Sequence, residues 1–167
     1  MANPMYGQNK LDGQIDNSTG KIVHITPAAD GTGVADAETV VLTNADAGNK
    51  YIVNVATNTA TFRLPSAAIS KGMEVSFHAD IASDAENSKK IIAFTDATTE
   101  YIYGTVMAGG SIFDTTVADD QLAIDGSGGA LGGGDRMKLI CDGQHWLVLD
   151  GVCLTGSAFS AGTISRS

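Results

Sequence analysis

"MKLICDGQHWLVLDG", Met137 to Gly151, is the stretch on which the reading of this chain turns. As chemistry, it places a thiol (Cys141), a carboxylate (Asp142) and an imidazole (His145) within five residues. As structure, it is two apolar runs joined by Asp142-Gly143, a strong hairpin signal because glycine enters positive φ without steric cost. Periodicity supports the structural reading: Met137, Leu139 and Cys141 share one face of the first run, while Trp146 and Val148 alternate with Leu147 and Leu149 in the second. Cys141 then ends a strand in the core, Trp146 is a buried anchor, and His145 is a turn residue between them. A cysteine nucleophile needs a neighbour that lowers its pKa and a base within hydrogen-bond reach. No helix N-terminus or oxyanion site is apparent beside this turn, so a hydrolase using Cys141 and His145 ranks below the structural reading.

The same punctuation extends in both directions. "KIVHI" (Lys21 to Ile25), "ETVVLT" (Glu38 to Thr43), "KYIVNV" (Lys50 to Val55) and "TATFRL" (Thr59 to Leu64) are short runs rich in β-branched and aromatic residues, and each reads as a strand. "NADAGN" (Asn44 to Asn49) supplies turn chemistry between two of them. "MEVSFHA" alternates Met73, Val75, Phe77 and Ala79 against Glu74, Ser76 and His78, as a half-buried strand does. "KKIIAFT" (Lys89 to Thr95), "EYIYGTVM" (Glu100 to Met107) and "SIF" (Ser111 to Phe113) continue the series, and "VADDQLAID" (Val117 to Asp125) is a weaker strand with an acidic shoulder. "SAAIS" (Ser66 to Ser70) has room for one helical turn, whereas "DIASDAENS" (Asp80 to Ser88) and "GSGGALGGG" (Gly126 to Gly134) read as loops. No dozen residues keep a helical period. The expected class is all-β: a single antiparallel sandwich, jelly-roll-like or barrel domain over residues 21–154.

Two segments fall outside that domain. Residues 1–20 are polar, broken by Pro4, Gly7, Gly13 and Gly20, with only Met5, Tyr6, Leu11 and Ile15 able to bury apolar area. They read as an extended arm that orders by docking onto something else. Residues 155–167 read as a polar C-terminal tail in which Phe159 is the expected apolar contact. The start of the chain has neither a basic cluster nor an apolar run, so no signal peptide is expected and the product is expected in the cytoplasm. No segment approaches the ~20 apolar residues of a membrane-spanning helix, so no membrane partner is expected.

Composition excludes other classes. Hydrophobic residues reach 43% while charged ones stop at 17%, so Ser, Thr, Asn and Gly must cover much of the surface, and 20 glycines disfavour long helices. A net charge of −9 without a basic cluster makes nucleic acid an unsuitable partner. Cys141 and Cys153 lie in apolar runs at a spacing that matches neither a redox pair nor a zinc ribbon. His24, His78 and His145 are scattered, each alone in or beside a separate strand. Asp114, Asp119, Asp120, Asp125 and Asp135 supply oxygen ligands without an EF-hand pattern. The glycines after Asp125 precede no Lys-Ser/Thr, so no phosphate loop is formed. No catalytic residue, cofactor or resident metal is expected.

Residues 50–150 resemble a module recurrent in tailed-bacteriophage virion proteins, both capsid decoration (cement) proteins and tail-fibre segments. The likeness rests on "TFRLPSAAISKGMEVSF" (Thr61 to Phe77), on "KKIIAF" (Lys89 to Phe94), and on "GDRMKLICDGQHWLVL" (Gly134 to Leu149), where a GD leads into a strand, a DG turn and a Trp strand. "MANPMYGQNKLD" is similar to the starts of small marine-phage structural proteins. The resemblance implies a non-catalytic virion protein made in the host cytoplasm. A compact domain without shaft repeats, bearing an arm and a tail, fits the decoration branch best. Such a protein sits on the outside of the head as a homotrimer and binds the major capsid protein. Met5, Tyr6, Leu11, Ile15 and Phe159 are then the expected partner contacts, and Asp142, Gly143 and Trp146 the structural hairpin. The alternative is a tail-fibre or receptor-binding β-module whose acidic or Gly-rich loop meets a host glycan.

Overall fold

The structure, a computed structural model, describes residues 17–27, 39–55, 58–80, 90–95, 99–115, 119–125, 133–153 and 158–162. It is an all-β sandwich of two sheets. The strands are β1 (Ile22–Ile25), β2 (Thr39–Val41), β3 (Lys50–Val53), β4 (Ala60–Arg63), β5 (Glu74–Ala79), β6 (Lys90–Phe94), β7 (Ile102–Tyr103), β8 (Thr105–Ala108), β9 (Ser111–Asp114), β10 (Gln121–Asp125), β11 (Arg136–Cys141), β12 (Trp146–Cys153) and β13 (Ala158–Gly162). Two 3-10 turns, η1 (Asn44–Asp46) and η2 (Ala67–Ile69), interrupt them. The second occupies the segment expected to hold a helical turn.

The larger sheet has the order β1-β3-β5-β11-β12-β8-β9, with β7 also on β12; the smaller runs β13-β10-β6-β4-β2. Both are mixed, where a purely antiparallel sandwich was expected. Successive strands from β1 to β6 alternate between sheets, so β1, β3 and β5 run parallel in one, and β2, β4 and β6 run parallel in the other. Each parallel connection crosses the sandwich and returns, so a strand of the opposite sheet takes the place that a helix takes in a βαβ unit. The antiparallel part comes later. It comprises β5-β11-β12, the β8-β9 hairpin, and β6-β10-β13.

The last of these strands corrects the sequence reading of the C-terminus. Ala158–Gly162, assigned above to a polar tail, pairs along its length with β10, and Phe159 is 5% exposed within the core. Phe159 is therefore a packing residue of its own domain and not an exposed partner contact. Ala, Ser and Gly have little strand preference of their own; the edge of β10 and the burial of one phenyl ring recruit the segment.

The inner faces fill as period-two patterning requires. Along β11 the order is half-buried Arg136, Lys138 and Ile140 against buried Met137, Leu139 and Cys141. Tyr51 and Phe77 from one sheet meet Phe62 from the other, with ring centroids 4.6–5.7 Å apart, which ties the two layers at their centre. Gly151 of β12 makes close approach possible. A Cβ there would strike the Val106 side chain and stand 3.3 Å from Phe159 Cζ. Gly104, at φ +150°, lets the chain pass from β7 to β8 along one edge of β12; its Cβ would fall 2.8 Å from Val148 Cβ.

Candidate functional site

The thiol, carboxylate and imidazole of the opening stretch lie at the turn between β11 and β12, which is a four-residue loop, Asp142 to His145, in place of a two-residue turn. Asp142 N–H donates to the His145 carbonyl at 3.0 Å and closes it. The Asp142 Oδ1 accepts the N–H groups of Gln144 and His145, each at 2.7 Å, so the carboxylate organises the turn from inside. Partial desolvation opposes its ionisation, but the backbone donors of His145 and Gln144 outweigh it and hold the carboxyl below its usual range. Gly143, at φ +99°, supplies the left-handed position.

Neither of the other two groups faces a reaction centre. Cys141 is 1% exposed and its thiol donates to the Ala67 carbonyl at 3.4 Å. Burial, reinforced by the charges of Asp142 and Glu100 against a backbone N–H from Gly143, pushes it up to about 11. That is the protonated form at neutral pH, the opposite of an activated nucleophile. His145 stacks on Tyr101 at 5.3 Å and meets the edge of Tyr103 at 5.7 Å. Its Nδ1 accepts the Tyr101 N–H at 3.3 Å, which places the neutral-ring proton on Nε2. The imidazole thus bridges the hairpin to β7. Trp146 is fully buried, and its Nε1 has no acceptor among the described residues.

A surface of different character covers the outer face of the larger sheet. Strand register lines up His24, Ile52, His78, Arg136, Val152, Met107 and Ile112 from one edge to the other. The β8–β9 end of this row is apolar: Met107 and Ile112 are direct cross-strand neighbours, 54% and 72% exposed, and Val152 pairs with Met107. The middle is polar, with Arg136 bonded to Asp150 at 2.7 Å and Lys138 to Glu74 at 2.5 Å. Burial, followed by the charges of Arg136 and Lys50, lowers the pKa of His78, against the pull of Asp150. Alternation in the sequence identifies these outward residues strand by strand. It could not show that they form one row, because that depends on strand order.

Of the other expected contacts, Met5, Tyr6, Leu11 and Ile15 lie outside the described residues. Just after them, Asn17 fastens the chain to the larger sheet: its amide donates to the Gly72 carbonyl and accepts the Glu74 N–H, both at 2.7 Å. Both cysteines are buried, and neither is in a disulfide. Among the described residues no three His, Cys, Asp or Glu side chains converge as metal ligands. Asp120 and Asp135 are buried, and their carbonyls accept Thr95 N–H and Ala79 N–H. No helix of the described residues is long and apolar enough to cross a membrane. No protein-family model and no curated protein matches the chain.

Proposed function

We propose that this chain is a bacteriophage capsid decoration protein: a non-catalytic homotrimer that binds the major capsid protein on the outside of the head. Its action would be mechanical, burying area at lattice junctions while the N-terminal arm, expected over residues 1–20, reaches over neighbouring subunits. The observation that carries this reading is the outer row of the larger sheet, apolar at Val152, Met107 and Ile112 and polar through Arg136 and His78. A broad face with an apolar end suits contact between surfaces better than enclosure of a small substrate. Support also comes from the motifs of the resemblance. "TFRLPSAAISKGMEVSF" builds β4, η2 and β5, and "GDRMKLICDGQHWLVL" builds β11 and β12 up to its bulge, so the likeness covers the framework of both sheets.

Ordering an arm costs about 1–2 kcal/mol per residue in backbone entropy, so the apolar contacts of Met5, Tyr6, Leu11 and Ile15 must exceed it. The test mixes purified protein with undecorated capsids and measures co-sedimentation. Saturable binding that is lost on deleting residues 1–15 is the expected result; attachment to host cells with none to capsids would refute it. The parallel winding of β1 to β6 favours a second reading, a tail-fibre or receptor-binding module, since β1 and β2 end their sheets among the described residues and such a coil accepts further coils end to end. Host-cell attachment in the same experiment is its signature.

A further inference from the structure

Among the described residues the larger sheet ends at β1 on one side and at β9 on the other. These two strands carry the two most exposed large apolar side chains of the described residues, Ile22 at 67% and Ile112 at 72%. Both edges also present backbone groups. The carbonyls of Lys21 and Ile25 accept Lys50 N–H and Asn54 N–H. In a parallel ladder alternate residues address the same neighbour, so the N–H and C=O of Ile22 and His24 point away from β3. Across the sheet, Thr115 N–H donates to the Gly104 carbonyl. The bonded pairs of the β8–β9 ladder therefore fall at Val106–Phe113 and Ala108–Ser111, and Ile112 and Asp114 turn their backbone groups outward. Neither strand contains a proline or a bulge, two of the devices that block pairing with another chain.

Strand direction fits the two edges to each other. β3 and β5 run with β1, β11 runs against it, β12 and β8 run with it, and β9 runs against it. A second copy set beyond β9 in the same orientation thus offers its β1 antiparallel to β9, with the outer faces on one side. Val23, Ile25 and Phe113 pack against the core, so Ile22, His24, Ile112 and Asp114 all stand on that outer face. An antiparallel ladder sets outward-pointing residues directly opposite one another. With Ile112 opposite His24 and Asp114 opposite Ile22, four backbone hydrogen bonds form. The row Val152–Met107–Ile112 then continues into His24–Ile52–His78 of the next copy. The two isoleucines leave water together, and the Asp114 carboxylate comes within diagonal reach of the His24 imidazole. A two-fold pairing of β9 with β9 would instead bring Asp114 beside its own equivalent.

We propose that the partner of these edges is a second copy of this chain: β9 of one protomer pairs antiparallel with β1 of the next, and the larger sheet runs unbroken through a head-to-tail assembly. Backbone pairing supplies the general affinity, and the Ile22, His24, Ile112 and Asp114 side chains set the register. Such an interface is heterologous and closes into a ring when its rotation divides a full turn. A ring of three is the homotrimer of the reading above. The pairing itself stands on strand polarity and exposed side chains, does not rest on that reading, and survives its failure.

The test measures the mass of the full chain by light scattering after size exclusion, over a range of concentrations. The parent should assemble. Ile112→Pro removes an N–H that points away from β8, and should leave a monomer with retained far-UV circular dichroism. Asp114→Lys should weaken association several-fold, and adding His24→Glu should restore it. Oxidising the double variant Ile22→Cys/Asp114→Cys should give a disulfide-linked ladder on a non-reducing gel, because opposite residues of a bonded pair lie about 5.5 Å apart at Cα, within disulfide range; neither single variant should link. A monomeric parent, assembly of Ile112→Pro as in the parent, or no rescue by His24→Glu would each overturn the proposal. A linked dimer in Asp114→Cys alone would overturn it too, in favour of two-fold pairing of β9. An assembly that forms as expected but ignores capsids refutes the decoration reading alone.

Discussion

Replacing Trp146 separates an anchoring role for the β11–β12 hairpin from a chemical one. The indole is fully buried, and truncation of a buried tryptophan to alanine removes about 3–5 kcal/mol from the roughly 5–15 kcal/mol of a typical domain. Trp146→Ala is therefore expected to leave the sandwich marginal or unfolded. Trp146→Phe divides that loss into parts. It removes roughly 40 Å² of apolar area, about 1 kcal/mol at ~25 cal/mol per Å², and the residual void adds a comparable amount. It also removes an indole N–H that has no acceptor among the described residues; a buried donor left unpaired costs about 1–3 kcal/mol. The opposing contributions nearly cancel, and Trp146→Phe should stay within about 1 kcal/mol of the parent. Urea unfolding followed by far-UV circular dichroism measures both variants, since fluorescence disappears with the chain's single tryptophan. A loss of about 3 kcal/mol or more in Trp146→Phe would mean that the nitrogen is satisfied, and the reasoning would fail.

Three further outcomes follow from the same geometry. With its pKa raised from 9.0 to about 11, Cys141 should react with iodoacetamide at pH 8 about 100-fold more slowly than an unperturbed thiol, before burial slows it further. Rapid labelling of the native protein at Cys141, located by mass spectrometry, would contradict this. His78 titrates below its ordinary 6.5 in the folded state, so the stability it contributes is present above pH 6.5 and is lost as pH falls through the lower folded value. His78→Gln should flatten the decline in urea midpoint between pH 6.5 and that lower value, and an unchanged profile would remove His78 as its source. Gly151→Ala drives a methyl group into Val106 and should cost about 1–3 kcal/mol as overpacking. Adding Val106→Ala should recover part of that loss, and strict additivity of the two would refute a direct clash.

Strand positions were legible because period two survives in nearly every element: the alternation of "MEVSFHA" and "MKLIC" appears directly in the buried faces of β5 and β11. Strand direction was not, because a parallel and an antiparallel strand with one face covered present the same alternation. Only the pairing of β1 with β3, and of β2 with β4, shows that the chain coils between sheets. Asp142-Gly143 marks the turn, but its length depends on two backbone hydrogen bonds to a side chain that no spacing rule specifies. Phe159 was misplaced because its neighbours are small and polar, and the edge of β10, distant in sequence, decides its burial. In the sequence Glu100 is only the polar start of "EYIYGTVM". Its burial depends on Ser66, thirty-four positions away, and no local pattern carries that information.

The most direct test of the proposed role is a cryo-EM reconstruction of the particle that carries this protein. The account predicts two-sheet domains repeated over the outer head shell at lattice junctions, with chain continuing from Asn17 across a neighbouring subunit. Density confined to the tail, or purified particles without the protein, would contradict it.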